Sequence, residues 1–320
     1  MTFVKTRTRR IVHGGRQAGC CIRVDGDAGG GECLALGVAW RDESFRLLWS
    51  EYGKLNPGAE QDDFAVRLRR RVGRRAFWVP VTDRGAEQNL AIHAVDLDAR
   101  DERGKPMARG GKREIFVRTQ VGQHVPETSP DDIAFADTRQ FAAGRSHTIG
   151  AIVRRSAVKQ SYDFWRGEMR LRSPHVGPAV IGLANVSVAL MPELVVMSSQ
   201  YRLVVLETLH AIYGCFFQGR RLLHALFYEP AAMQRLHPDM LTYWQNRMRV
   251  EFAVEESIPI ELRVVQSWPL ELAPPGVEAG CIWCPWESSR LSWPDPKARA
   301  CVLENLDLAP VAFGLALQGV

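Results

Sequence analysis

Cys281 and Cys284 form a Cys-x-x-Cys pair, the spacing with which thiolates hold zinc or make a redox dithiol. A structural zinc needs four ligands. Here only Cys301 is near in sequence and no histidine follows Cys284, so the pair is a weak metal candidate and two buried thiols are the simpler reading. The prolines around it, Pro285 first among them, do not supply the strand-then-helix setting of a redox dithiol. Glu207 and His210 have the Glu-x-x-His spacing of carboxylate-bridged metal centres, which use it twice; no second copy is present. On a helix the two would share a face, as an ion pair or a satisfied polar spot.

Nucleophilic and phosphate chemistry fare no better. The fragment GRSHTIG at 144–150 has the wrong spacing for a nucleophile elbow. His13-Gly14-Gly15 matches the start of an esterase oxyanion loop but stands in a basic arm with no matching serine. RGGKRE at 109–114 lacks the glycine spacing and the Ser/Thr of a P-loop. The expectation is no catalytic residue and no cofactor. A site assembled from scattered carboxylates or histidines is the enzymatic reading left open.

The basic clusters survive this sieve. One is an N-terminal arm, Lys5, Arg7, Arg9, Arg10 and Arg16. A second puts six arginines in nine positions: Arg67, Arg69, Arg70, Arg71, Arg74 and Arg75. A third, Arg155, Lys159, Arg166 and Arg170, would line one helix face with Tyr162 between. Arg109, Lys112 and Arg113 tip a charged loop. The planar guanidinium fork suits phosphate oxygens, and arginine far outnumbers lysine here. Each cluster alone reads as a solvated face. Together they predict contacts to a nucleic-acid backbone, RNA or DNA, by a non-enzymatic subunit that also meets other protein subunits of a larger assembly. The rival readings are a structural subunit of a virus, phage or mobile-element particle, and an enzyme with an unrecognised site.

Charge distribution supports the basic reading. Residues 1–75 hold 15 Lys and Arg against 9 Asp and Glu, whereas the rest holds 26 against 27, so the net +5 is concentrated in the first quarter. At 320 residues, 46% hydrophobic and 24% charged, the composition is that of an ordinary globular protein with enough chain to bury a core without staples. Seven cysteines is an odd number, and no apolar run follows the basic start, which predicts reduced thiols in the cytoplasm. The uncharged stretch Ser173–Pro192 is interrupted by Pro174, Gly177, Pro178 and Gly182, so it reads as a buried strand leading into a buried helix and not as a membrane span.

The elements that must position these residues read as an α+β fold. It comprises an N-terminal antiparallel sheet, a central helical layer and a C-terminal antiparallel hairpin. Strands are expected at 21–24, 33–40 and 45–52, with glycines 29–31 in the first turn, then a helix over 62–72 with acids in its first turn and arginines in its last. AFWVPV and further strands at 91–97 and 114–121 follow, the latter two joined by a 16-residue loop with nine charges. Ser129-Pro130 reads as a helix start, and 191–213 and 220–228 have helical apolar spacing. Val250, Phe252 and Val254 alternate with polar residues, as do Ile260, Leu262 and Val264, which predicts a hairpin over 248–265. Four of nine tryptophans fall in the proline-rich stretch 268–296 and argue that it is packed down. A helix at 296–306 and a strand at 309–317 close the chain, and no internal repeat is visible. The chain divides into a basic β-rich region 1–125, a mainly helical region 126–247 and a hairpin, Trp/Pro-rich and helical region 248–320, or forms one continuous domain.

Overall fold

The computed structural model describes residues 15–25, 30–41, 44–81, 91–96, 119, 133–138, 147–191, 200–208, 211–228, 236–267 and 277–317. The first strands follow the alternation of their side chains. Strands β1 (Gly15–Asp25), β2 (Gly30–Arg41) and β3 (Ser44–Lys54) form an antiparallel meander, in register from Asp25↔Gly30 and from Arg41↔Ser44. Helix α1 (Ala59–Val72) then crosses back so that β4 (Phe77–Pro80) lies parallel to β1. Along β2, Cys33 and Ala35 face α1 while Leu34, Leu36 and Val38 face the middle of the molecule, so both faces of this sheet are buried.

Three strands make a separate antiparallel sheet: β5 (Ala91–Asp96), β6 (Ile133–Thr138) and β7 (His147–Arg154), with β7 in the centre. Helix α2 (Arg155–Asp163) and a π-helical turn at Phe164–Glu168 return the chain to the first sheet as β8 (Pro174–Gly177), parallel to β4. The buried helix α3 (Ala179–Leu190) follows, as its uncharged sequence predicts.

The remaining chain repeats this plan. β9 (Tyr201–Glu207), β10 (Ile212–Gln218) and β11 (Arg221–Tyr228) form a second antiparallel meander. Helix α4 (Pro238–Glu251) leads to β12 (Ile260–Val265), parallel to β9, and β13 (Ile282–Trp283) lies parallel to β12. Strand β14 (Leu291–Ser292) crosses over to extend the first sheet beside β3. Helices α5 (Pro296–Leu303) and α6 (Ala309–Ala316) complete the described chain. The strand orders are β14-β3-β2-β1-β4-β8 and β11-β10-β9-β12-β13, so apart from β14 the two sheets have the same order and the same pattern of parallel and antiparallel pairs. The fold thus contains a topological repeat that the sequence does not display.

The two buried helices are exchanged between the repeats. α6, which ends the second unit, packs under β1, β2 and β4 of the first, while α3 packs under β10 and β11 of the second. They cross in the main core, between the sheets, where all twelve residues of α3 and all eight of α6 are buried. A second core lies between the first sheet and α1, around Phe64, Leu68, Phe77 and Trp165. A third lies between the second sheet and α4, around Phe216, Leu241, Trp244 and Met248.

Mixed helix and strand content is as expected, but three expectations are corrected. Among its described residues the stretch 126–247 carries six strands, β6 to β11, and is not a helical layer. The strand β6 begins at Ile133, just after the Ser-Pro read as a helix start, and Tyr201–Glu207 is a strand inside the stretch read as a helix. Leu203–Leu206 alternates between two buried faces, which produces a continuous apolar run that helix spacing also matches. The 248–265 hairpin is absent: Val250 lies on α4 at 83% exposure, and 260–265 is a central strand with parallel neighbours. Ala309–Leu317 is helical because it is apolar on every side, a pattern that fits a buried helix as well as a buried strand. The strand at 114–121, apart from Thr119, and the charged loop before it lie outside the described residues. In the Trp-rich stretch, Trp286 is buried with its ring edge-on to Trp293 and to Phe313 of α6, as its composition predicts.

Candidate functional site

The predicted arginines do not behave alike. Helix α1 begins after Gly58, carries Glu60 and Asp62 in its first turn and Arg69, Arg70 and Arg71 in its last, which complements the helix dipole. It buries Phe64, Leu68 and Val72 against the sheet, so the arginines emerge on its flanks and free end. Arg67 donates to Glu51 Oε2 at 3.2 Å and to the Tyr52 carbonyl at 3.2 Å, pairs with Asp63, and stacks over the Phe64 ring. Arg71 donates to Glu51 Oε1 at 3.0 Å. One half-buried carboxylate therefore neutralises two members of the cluster.

The rest of the cluster meets a second segment. The π-helical turn after α2 is anchored by Trp165, which is fully buried and edge-on to Phe77 at 5.6 Å and to Phe164 at 5.4 Å. The Met169 N–H closes on the Phe164 carbonyl at 3.1 Å, and the Leu171 N–H on that of Trp165 at 3.0 Å. Between them Arg170 is held at φ +54°, a left-handed conformation uncommon for a residue with a side chain. Arg166 donates to the carbonyls of Leu171 and Arg172, and Arg69 to that of Met169 at 3.3 Å. Gln61 of α1 reaches Glu168 at 3.4 Å. At the end of α1, Gly73 takes φ +62° and its N–H caps the Arg69 carbonyl at 2.9 Å.

These contacts border an open pocket of about 360 Å³ lined by Arg69, Gly73, Arg74, Arg170, Leu171 and Arg172. Four of its six lining residues are arginines and none is acidic. Arg74, Arg170 and Arg172 are exposed, and among the described residues their side chains make no hydrogen bond or ion pair. The arrangement can bind an oxyanion by several forked donors at once. Arg69, Arg74 and Arg170 come from two clusters separate in the sequence. Arg172 was missed, although the Arg-Leu-Arg run at 170–172 places it near its partner.

The other candidates disperse. Arg70 and Arg75 are exposed near the same helix end; Arg155 and Lys159 lie on α2, and Arg166 is used within its own turn, so the expected helix face of 155–170 is broken by the π-helical turn. Arg16 lies in β1 opposite Ala39, while Lys5, Arg7, Arg9, Arg10, Arg109, Lys112 and Arg113 lie outside the described residues. Glu207 ends a strand, accepting from the Leu236 N–H at 2.8 Å, and His210 lies outside the described residues, so no helix pairs them. Burial pushes the Cys281 and Cys284 thiols up, which makes the thiolate that binds metal or attacks a disulfide harder to form.

No family model and no curated protein matches the sequence. A solved structure described as a PilM-PilN type IV pilus biogenesis complex is similar in fold: TM-score 0.56 at 15% identity, over 93% of this chain and 97% of that one. Two further structures overlap more loosely. A protein with actin-like ATPase fold and unknown function from Bacteroides thetaiotaomicron matches at TM-score 0.36 and 9% identity, over 78% of this chain and 80% of that one. A Ppx/GppA family member from Aquifex aeolicus matches at TM-score 0.31 and 8% identity, over 78% and 66%. The nucleic-acid reading, RNA or DNA, is corrected by these findings. The fold is similar to that of the chain in the structure described as a PilM-PilN complex, and Arg67 and Arg71, which would extend a basic track along α1, are committed to Glu51 and Asp63.

Proposed function

We propose that this chain is a protein-docking scaffold, a folded platform that holds a segment of another subunit within an assembly. The observation that carries the reading is the fold likeness to the PilM-PilN complex chain, which extends over nearly the whole of both chains. The architecture suits the role. Two sheets buried on both faces and locked by exchanged helices give a rigid body, and rigidity lowers the ordering cost of docking a flexible segment. A cytoplasmic location belongs to the same proposal: all seven cysteines are free thiols, as a reducing compartment requires. Among the described residues no helix is long and apolar enough to cross a membrane.

The test is to pan the immobilised full chain against a displayed random-peptide library, with MgATP titrated in parallel by thermal shift. The expected result is one enriched consensus whose synthetic peptide binds with micromolar affinity and one-to-one stoichiometry. Failure of every peptide to enrich would overturn the reading, and a saturable rise in melting temperature with MgATP beside it would favour a nucleotide-handling protein.

A further inference from the structure

Resting on that docking role, we infer that the cavity between the end of α1 and the segment 170–172 anchors acidic side chains of the docked segment. Like charges at this density repel each other, and the lining supplies no carboxylate to relieve them. A ligand that brings carboxylates into the cavity removes the repulsion and gains forked, charge-assisted hydrogen bonds.

The surroundings hold the donors in place before anything binds. Arg170 keeps its left-handed backbone because the flanking amides close on Phe164 and Trp165, and Trp165 is fixed in the core. Arg69 is tied to the Met169 carbonyl, so the two sides of the cavity are held to each other. Strain stabilised by the neighbouring packing in this way is a mark of binding sites. Gly73 and Leu171 complete the lining, and a β-carbon on Gly73 would touch nothing, so the site is open on that side.

The free positive charge forms a patch and not a track. A nucleic-acid backbone repeats its charge along its length and rewards a continuous run of cations. Here the run is interrupted, because Glu51 and Asp63 occupy Arg67 and Arg71 on the approach along α1. A few carboxylates close together on a peptide match a patch of this size.

The experiment uses the full chain and three probes in fluorescence anisotropy: a labelled hexaglutamate peptide, inorganic phosphate as competitor, and a labelled single-stranded oligonucleotide. Hexaglutamate is expected to bind, to weaken with salt, and to lose at least about tenfold in affinity when Arg74, Arg170 and Arg172 are changed together to Gln. Changing Arg247, Lys297 and Arg299 to Gln removes the same charge elsewhere and should leave binding within about twofold. The single change Arg74→Glu, on an exposed side chain, should weaken binding without altering the urea midpoint, which separates a lost site from a lost fold. Equal binding by both triple variants would overturn the assignment. So would phosphate competing at concentrations equal to the peptide's, or the oligonucleotide binding more tightly than hexaglutamate. If a panned consensus peptide binds the Arg74/Arg170/Arg172 variant as well as the wild type, the docking role stands and this anchor falls; if no peptide enriches, the docking role itself falls.

Discussion

Where α3 crosses α6, the carbonyl oxygen of Gly182 occupies the place that a β-carbon on Gly314 would need. The reverse is almost as tight, because a β-carbon on Gly182 would lie 2.5 Å from the Val311 carbonyl oxygen. Neither neighbour is a side chain that can swing aside. The glycines therefore set how closely the two central helices approach, and with them the two sheets that rest on these helices.

Gly314→Ala should destabilise the chain by about 3 kcal/mol or more, the upper end for overpacking, since only backbone can move. Gly167→Ala is the control: a β-carbon there meets nothing within 4 Å, so its effect should stay within about 0.5 kcal/mol. Urea midpoints of the two variants read this directly, and equal midpoints would mean that the helices slide apart freely.

Arg202 of β9 is buried beneath Met191, with its guanidinium paired to Glu261 of the neighbouring strand β12. Removing the acid leaves the buried Arg202 cation without its carboxylate, although the 34% exposure of Glu261 lets water reach the gap. Glu261→Ala should therefore cost about 2–3 kcal/mol, less than for a fully buried pair, whereas Arg202→Met, which keeps the packing, should cost less. Stability curves in which Arg202→Met is the worse variant would show that the pair contributes net attraction.

Trp165 links the α1 core to the π-helical turn that carries Arg170. Trp165→Ala should cost about 3–5 kcal/mol as a cavity in a packed core. Tyr243→Ala, on the exposed face of α4, should fall within about 0.5 kcal/mol. At a urea concentration where the Trp165 variant is still folded, hexaglutamate binding should also weaken, because the strained backbone at Arg170 loses its support.

Burial lowers the His175 imidazolium from its ordinary value of 6.5; the ring stacks on Trp78 at 4.9 Å. Burial likewise lowers His224, with Arg247 acting in the same direction and Glu251 against it. The folded state thus binds these protons less readily than the unfolded state. The resulting stability is fully present above the unfolded pKa near 6.5 and is lost as pH falls through the depressed folded values. Urea midpoints should be flat from pH 8 to about 7 and fall below that, and His175→Gln with His224→Gln should flatten the fall between pH 6.5 and 5. An unchanged slope in the double variant would assign the acid sensitivity to carboxylates.

Local signals were legible where one element carried its own rule. The meander of β1 to β3, the acid-to-arginine gradient of α1, the strand-to-helix switch at 174–190 and the Pro296 start of α5 all read correctly from neighbours a few residues apart. Strands β9 and β10 and helix α6 did not, because elements buried on every side lose the polar residues that mark a period. The topological repeat was invisible for a related reason: its two copies share strand order but not residue types, as GGECLALGVAWR and IYGCFFQ in the second strands show. The candidate site was half legible. Its arginines stood out by density, but which of them are free depends on Glu51, and the meeting of 69–74 with 170–172 depends on how Trp165 docks.

The helix exchange also sets the order in which the chain can be completed on the ribosome. Gly19 of β1 lies directly against the backbone of Ala312 to Ala316, so the inner face of the first sheet is covered by a helix synthesised long after it. Until that helix emerges, Leu34, Leu36, Val38, Phe45 and Leu47 have no α6 to cover them. Until α6 emerges, a nascent first half is therefore an adhesive intermediate, a substrate for chaperones. Production of this protein should respond to holdase supply and elongation rate more than to the stability of its finished fold.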